Sequence, residues 1–355
     1  MNLPSFLRRK ILSIDLGAYE IKVVEGKETN KGIIVYKHFA IPTPRGAYDD
    51  GLIVDKELLH YVIDEEFKKK GIRTKDAYLT INSSHIITRE IIIPKVEEDQ
   101  IDGLIKYQLE DYIPMNQENY IVQFKKIGSI YEEGVEKLNI LLIAIPKEMV
   151  EGHYKLLKDL DLNPLVLDYQ PNSIAKLIKY NQLINENYPT EDLIFSAIDI
   201  GYDTTKISII KNGLILVSRT IEIGGKYIDQ NILNFFELDQ LQLEEKKREI
   251  GNINRLEDND SDEDGIKRII LNSFQSLSER IEVVFRYFLT REIGNEINII
   301  LLCGGNANYD GIDSFFSNYF NIPSIKLESF NNVVFDGELA RYIHPIGSII
   351  RMAEV

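Results

Sequence analysis

Two stretches of this chain, ILSIDLGAYEIKVVEG at 11–26 and FSAIDIGYDTTKISII at 195–210, share one plan. Each carries an apolar run into Asp-x-Gly, crosses a short polar turn and returns as a second apolar run. Such runs bounded by turn residues predict strands, so each copy reads as strand, tight turn, strand. A third strand follows each copy, at 32–41 in the first and at the end of LIFSAIDIGYDTTKISIIKNGLILVSRTIEIGG (193–225) in the second. Writing the same three-stranded meander twice constrains the chain to a duplicated α/β architecture with two related halves.

The remaining segments fit that plan. Residues 54–71 predict a helix, with Leu58, Leu59, Val62, Ile63 and Phe67 at helical spacing and Gly71 at its stop. A strand at 77–83 completes a β-β-β-α-β unit. Extra material begins near Ser84: a strand at 85–93 ended by Pro94, a helix over 97–113, and a hairpin from 119–130 and 136–145. A helix over 146–162 begins at Pro146, a strand spans 163–171 around Asp168, and a helix runs from Asn172 to about Leu183. In the second half, helices at 227–236 and 241–251 precede RLEDNDSDEDG (255–265), whose acidic composition predicts a solvated loop. A long helix at 266–291, a strand, glycine turn and helix over 297–320, and a helical stretch around Pro345 follow.

The 355 residues exceed one ordinary core. A net charge of −15 argues against a general nucleic-acid binder, which needs a basic footprint. A nucleotide site stays open, because backbone N–H groups hold phosphates without net positive charge. The single cysteine, Cys303, cannot form an intrachain disulfide and suits a reducing compartment, where it reads as a packed core residue. No apolar run approaches the ~20 residues that span a bilayer. The opening MNLPSFLRRK lacks a signal-peptide pattern. The expected location is therefore cytoplasmic, with membrane attachment only through a partner. The five histidines show no metal-ligand spacing.

The two turns carry the chemistry. Gly17 and Gly201 suit backbone geometry that side chains resist, leaving N–H groups free to face an anion. Asp15 and Asp199, at strand ends, suit a hydrated Mg²⁺, which favours carboxylates and keeps most of its waters. Lys22 can reach a phosphate as a point charge, or pair with Glu20 or Glu25. Thr204 and Thr205 add hydroxyls to the second turn. Gly304 and Gly305 of LLCGGNA (301–307) follow a buried strand and precede a helix, where a flat base or ribose can approach the backbone.

These three elements, in this order, resemble the superfamily of actin-like, sugar-kinase and heat-shock-protein ATPases. The resemblance implies a duplicated actin-like (ribonuclease H-like) fold whose halves flank a nucleotide cleft. DLGAYEIK, with Asp15, Gly17, Ala18, Tyr19 and Lys22, then corresponds to the first phosphate loop. DIGYDTT, with Asp199, Gly201, Tyr202, Asp203, Thr204 and Thr205, corresponds to the second, and CGGNA, with Gly304, Gly305 and Asn306, to the adenosine loop. ATP and Mg²⁺ are the implied ligands, the metal held by Asp15 and Asp199 through water. LDYQPNSIAKL (167–177) looks like the first connecting helix, where Asp168 and Gln170 match a water-orienting position, and HPIGSIIR (344–351) like the second. Glu244 and Lys247 of LEEKKR match a pair that flanks base and ribose.

Within the superfamily the chain resembles the PilM family of type IV pilus assembly proteins. LEDYIPMNQENYIVQFKKIG (109–128) matches its acidic helix end, Tyr-Ile-Pro and extended strand. ILLIAIPKEMVEGHYKLLKDLDLNPLVLDYQPNSIAKL (140–177), IGGKYIDQNI with Gly224 and Gly225, LDQLQLEEKKREIG and LCGGNANYDGIDSFFSNYFNIP extend the likeness over most of the chain. Leu243 stands where the family's Ala-Glu-x-x-Lys has alanine, Asn306 adds a polar residue to the adenosine turn, and Gln170 replaces a frequent Glu. An amide orients water but is a poor base, so hydrolysis is expected to be slow at most.

The resemblance implies an FtsA-type inserted subdomain and the following parts: 1–83 and 164–192 in subdomain 1A, 84–163 as inserted subdomain 1C, 193–226 and 296–334 in 2A, 227–295 in 2B, and 335–355 as a helix returning to 1A. It also implies a cytosolic scaffold that docks the N-terminal cytosolic tail of the membrane protein PilN between 1A and 1C, contacts pilus assembly motor proteins and self-associates into a ring or filament. Tyr107, Tyr112 and Ile113 are the candidates for that groove, while Ile101, Leu104, Ile105 and Leu109 read as core of the insertion. The alternatives are an FtsA-like division filament protein, whose amphipathic membrane tail has no counterpart in SIIRMAEV, and a sugar or small-molecule kinase, for which no sugar-binding set stands out.

Overall fold

The computed structural model describes residues 9–113, 117–132, 134–257 and 261–351. The N-terminal MNLPSFLR, Pro114 of the Tyr-Ile-Pro segment, residues 258–260 of the acidic run and the final four residues lie outside the described residues. The first meander is β1 (Ile11–Leu16), β2 (Glu20–Thr29) and β3 (Gly32–Pro42). After the two-residue strands β4 (Tyr48–Asp49) and β5 (Leu52–Ile53), α1 (Lys56–Lys70) returns the chain to β6 (Asp76–Ile81), parallel to β1. Asp55 caps the start of α1 through Leu58 N–H, and Gly71 ends it in the left-handed region.

The insertion comprises β7 (Ile87–Pro94), α2 (Glu98–Tyr107), α3 (Leu109–Tyr112), β8 (Tyr120–Glu132) and β9 (Val135–Pro146). Its strands form a separate sheet in the order β7-β9-β8. The single helix expected over 97–113 is broken at Gln108. α4 (Lys147–Asp159) leads to β10 (Asn163–Tyr169), parallel to β6, and α5 (Gln170–Tyr180) follows directly.

Beyond the short pair β11 (Leu183–Ile184) and β12 (Tyr188–Pro189), the second meander is β13 (Ile194–Ile200), β14 (Thr205–Lys211) and β15 (Leu214–Ile221). Three helices, α6 (Gly225–Phe236), α7 (Gln240–Glu249) and α8 (Asp262–Arg291), cap this half. β16 (Ile299–Cys303) runs parallel to β13, then α9 (Ile312–Phe320), β17 (Ser324–Lys326), β18 (Val333–Val334) and α10 (Leu339–Ser348) complete the fold. α8 begins at Asp262, inside the stretch expected to be a loop. Ser261 accepts from Asp264 N–H as its cap, and Asp262, Glu263 and Asp264 sit at the positive end of the helix dipole.

The two large sheets have the orders β10-β6-β1-β2-β3-β18 and β15-β14-β13-β16-β17. Their central strands β1 and β13 are buried along their full lengths, as expected of strands covered on both faces. Separate apolar cores fill the first half, the second half and the insertion. A further core lies around α5 and α10 between the halves. These two helices approach so closely that a Cβ on Gly347 would stand 2.3 Å from the Ser173 carbonyl oxygen. Among the described residues no helix is long and apolar enough to cross a membrane.

Candidate functional site

The two meander turns converge on one cavity of about 320 Å³ between the halves. They are built alike. Gly17 N–H donates to the Glu20 carbonyl at 3.2 Å, and Gly201 N–H to the Thr204 carbonyl at 3.0 Å. Asp15 stands opposite Lys22 across β1–β2, and Asp199 opposite Lys206 across β13–β14. Neither Gly17 nor Gly201 has positive φ, contrary to the expectation of unusual backbone angles. Glycine is required instead because a Cβ would sit 2.7 Å from the Glu20 oxygen or 2.8 Å from the Thr204 oxygen.

The two carboxylates are held very differently from surface acids. Asp15 Oδ1 accepts from Thr80 Oγ1 and from Gln170 Nε2, both at 2.7 Å, and Oδ2 faces Lys22 Nζ at 3.4 Å. Burial pushes its pKa up, but Lys22, His344 and the two hydrogen bonds outweigh this and hold it below the usual carboxylate value. Asp199 Oδ2 lies 2.8 Å from His344 Nε2, while His344 Nδ1 lies 3.2 Å from the Gln170 carbonyl. Two acceptors, one at each ring nitrogen, require both nitrogens to donate, which is the imidazolium form. Burial opposes that charge, but Asp199 and Asp15 overcome it and raise the His344 pKa. Lys22, half-buried beside them, is kept charged by Asp15, Glu20 and Asp199.

Beside Asp199, β16 delivers Gly304 with φ of 89°, where a Cβ would meet Asp199 Oδ1 at 2.4 Å. Asn306 Nδ2 donates to the Gly201 carbonyl at 2.9 Å, tying this loop to the second turn. Lys247, on α7, reaches Asp229 of α6 at 2.7 Å. Tyr19 and Tyr202, one from each turn, approach with ring centroids 5.1 Å apart. The Tyr19 hydroxyl donates to Glu244 at 3.1 Å. Arg341 of α10 pairs with Glu20 beside the first turn.

Most of the expected residues meet here: Asp15, Gly17, Ala18, Tyr19 and Lys22 from the first turn, Asp199, Gly201, Tyr202, Asp203 and Thr204 from the second, with Gln170, Lys247, Gly304, Gly305 and Asn306. Five do not line the cavity. Thr205 opens β14 and spends its hydroxyl on the Ile223 carbonyl at 2.7 Å. Gly224 and Gly225 pack against the second turn, Gly225 N–H bonding the Gly201 carbonyl, so their role is close backbone approach. Glu244 is turned to Tyr19. Asp168 is no water-orienting residue: its carboxylate takes Lys176 Nζ at 2.5 Å, Asn172 Nδ2 at 2.9 Å and Tyr169 N–H at 3.0 Å, all behind the cavity wall.

The groove candidates also separate. Ile113 is 1% exposed in the core of the insertion and offers no surface to a partner. Tyr112 is half-buried, bonded to Gln108, while Tyr107 is 87% exposed. A distinct apolar groove of about 170 Å³ runs between α4 and β10, lined by Val150, Tyr154, Leu157 and Leu165 among others and by none of these three.

Other lining residues were not among the expected site residues, including Glu20, Tyr48, Asp50, Asn82, Asp229, Asn308, Arg341 and His344. Glu20, Asp229 and His344 stand inside DLGAYEIK, IGGKYIDQNI and HPIGSIIR, but nothing in those patterns marked them as cavity groups. Lys206 also escaped, although it occupies the eighth position of DIGYDTTK as Lys22 does of DLGAYEIK. It is buried beneath the second turn, bonded to Thr220, and burial lowers its pKa to about 7. Among the described residues no group of three or more His, Cys, Asp or Glu could hold a metal alone. Two carboxylates facing one polar cavity instead fit Mg²⁺, which takes one or two carboxylates, waters and phosphate oxygens.

The model of a family described as type IV pilus assembly protein PilM matches residues 13–343. A solved PilM-PilN type IV pilus biogenesis complex has a TM-score of 0.78 at 22% identity, covering 96% of each chain. MreB5 of Spiroplasma citri bound to ADP gives 0.57 at 15% identity, covering 96% of this chain and 95% of that one. EutJ of Carboxydothermus hydrogenoformans gives 0.59 at 15%, covering 98% and 90%. The fold is that of actin-like ATPases. Cell division protein FtsA of Staphylococcus epidermidis is 25% identical over 246 residues, 62% of this chain and 50% of that protein. The chain thus spans about half the length of the curated relatives it matches.

The structural role of Asp168 is testable. Lys176→Ala leaves its carboxylate buried without a cation, which costs about 3–5 kcal/mol. Chemical denaturation should show that loss; an unchanged unfolding midpoint would return Asp168 to the list of free, cavity-facing carboxylates.

Proposed function

From the premise that the chain belongs to the PilM family of type IV pilus assembly proteins, we propose that it is an actin-like, ATP-binding scaffold of that machine which docks a PilN-type cytosolic tail. The observation that carries the nucleotide reading is the convergence of two like-built Asp-Gly turns on one cavity between the halves. Backbone N–H groups of the turns, with Lys22, suit the phosphate chain. Asp15 and Asp199 suit Mg²⁺ through water, and the ion when bound neutralises phosphate charge. The Gly304–Asn306 loop and Lys247 suit the nucleoside. Gln170 is the cavity group nearest in kind to a water-orienting residue, yet its amide is committed to Asp15 and cannot serve as a strong base. Turnover is accordingly slow or absent.

For the tail, the α4–β10 groove supplies the surface. Tyr154 and Leu165 remain 51% and 50% exposed there, beside the free edge of the first sheet. Exposed aromatic and aliphatic side chains along an open strand edge suit an extended apolar peptide. A PilN-type tail in this groove would bring the scaffold to the membrane through its partner. Contact with pilus assembly motor proteins and self-association belong to the same proposed role, as does the division into subdomains 1A, 1C, 2A and 2B.

Calorimetry with ATP and Mg²⁺ should show one binding event, weakened roughly tenfold or more by Asp15→Ala or Asp199→Ala. Folded wild-type protein that binds no nucleotide would remove the reading. A synthetic PilN-type N-terminal peptide should bind the wild type and lose roughly tenfold in affinity to Leu165→Glu, with thermal stability unchanged. Equal peptide affinity in Leu165→Glu and Tyr154→Ala would move the docking site away from α4 and β10.

A further inference from the structure

The cavity between the halves and the α4–β10 groove share one wall. On the cavity side stands the β4–β5 hairpin, which gives Tyr48, Asp50 and Gly51 to the lining. On the groove side stands α4, which gives Val150, His153 and Leu157. The two elements pack closely. Gly51, with φ of 83°, has α4 so near that a Cβ there would stand 3.0 Å from Met149 Cε, and a Cβ on Gly152 would stand 3.9 Å from Ile53 Cδ1.

One hydrogen bond crosses this wall. The Tyr48 hydroxyl lies 3.1 Å from His153 Nε2, with the rings edge to face and their centroids 5.7 Å apart. His153 Nδ1 lies 2.7 Å from the Met149 carbonyl, which can only accept, so Nδ1 carries the proton. Burial lowers the imidazole pKa to about 4, which leaves the ring neutral and Nε2 an acceptor. Tyr48 is therefore the donor. Both residues are buried, and the Tyr48 hydroxyl has no other hydrogen-bond partner among the described residues. Parting them leaves a buried donor and a buried acceptor unpaired.

A ligand that moves Tyr48 from the cavity side must break that bond or carry His153 with it, and the reverse holds from the groove. Both cavities are open in the one conformation that has the bond made. A ligand of either stabilises the wall that suits the other. We infer that nucleotide in the cleft and peptide in the α4–β10 groove bind with positive cooperativity, carried by Tyr48 and His153 as positioning residues. The inference rests on both readings proposed above and adds regulation to them: the scaffold holds its membrane partner more tightly when loaded.

The test measures affinity for the synthetic PilN-type N-terminal peptide by calorimetry on the full chain, with and without saturating ATP and Mg²⁺, in wild type and Tyr48→Phe. Phenylalanine keeps the ring in the wall and removes the donor. ATP should tighten peptide binding to wild type about fivefold or more, and that gain should fall to about twofold or less in Tyr48→Phe. Peptide should tighten ATP binding by the same factor, since coupling is reciprocal. A merely structural role for the pair would lower stability without changing the ratio. Folded wild type that binds each ligand equally well with and without the other overturns the inference and leaves both readings intact. Coupling unchanged in both Tyr48→Phe and His153→Leu overturns the part given to this pair. Should those variants fail to fold, imidazole ¹⁵N NMR of the wild type decides. The signal of His153, which stays neutral down to about pH 4, should shift when ATP and Mg²⁺ bind, and an unmoved signal overturns the inference. Wild type that binds no ATP, or no peptide, contradicts that reading itself and the inference with it.

Discussion

Beneath the cavity, the carboxylates of the two halves are joined by one run of hydrogen bonds. Asp15 accepts from the Gln170 amide, the Gln170 carbonyl accepts from His344, and His344 donates to Asp199. Every residue in it comes from a different element: β1, α5, α10 and β13. With Lys22, the imidazolium helps hold the buried Asp15 below the usual carboxylate value, against the burial that would push it up. In a low-dielectric setting such a chain is strong when complete and costly when broken. The spacing of the two turns, and hence the cavity, depends on it.

The same arrangement explains how a chain of net charge −15 can offer an anion site. The cavity lining is itself acidic, with Asp15, Glu20, Asp50, Asp199, Asp203 and Asp229 outnumbering Lys22, Lys247, Arg341 and His344. What suits an anion there is the backbone N–H groups of the turns, which carry no net charge, and the divalent cation that the carboxylates fit. α5 and α10, crossing at Gly347 without room for a side chain, carry Gln170 and His344 to their places. Packing between the halves and chemistry in the cleft are therefore set by the same two helices.

Much of this was legible in the sequence because it is written in local pattern. The repeated meander, the Asp-x-Gly turns and the strand–glycine–helix of residues 299–320 are read from runs of neighbouring residues. What escaped reading depends on distant partners. His344 opens HPIGSIIR, but gains its role only beside Asp199. Asp168 looked available until Lys176, two turns along α5, was seen to neutralise it. Ile113 was expected at a surface but completes the core of the insertion, since spacing alone does not say which apolar face is covered. The start of α8 was hidden by acidic composition, although Ser261 was a readable cap. Lys206 was in plain view at the place of Lys22, but Lys22 lines the cavity beside Asp15 whereas Lys206 is spent on Thr220 outside it.

The central claim is that one metal-bound nucleotide is held jointly by both halves. The most direct measurement is a crystal structure of the protein grown with ATP and Mn²⁺ in place of Mg²⁺, with anomalous scattering collected to locate the metal. The account predicts a single manganese peak between Asp15 and Asp199, bridged to the phosphate chain and reached by both carboxylates directly or through water. A metal bound to one half alone, or a nucleotide seated outside the cleft, would contradict it.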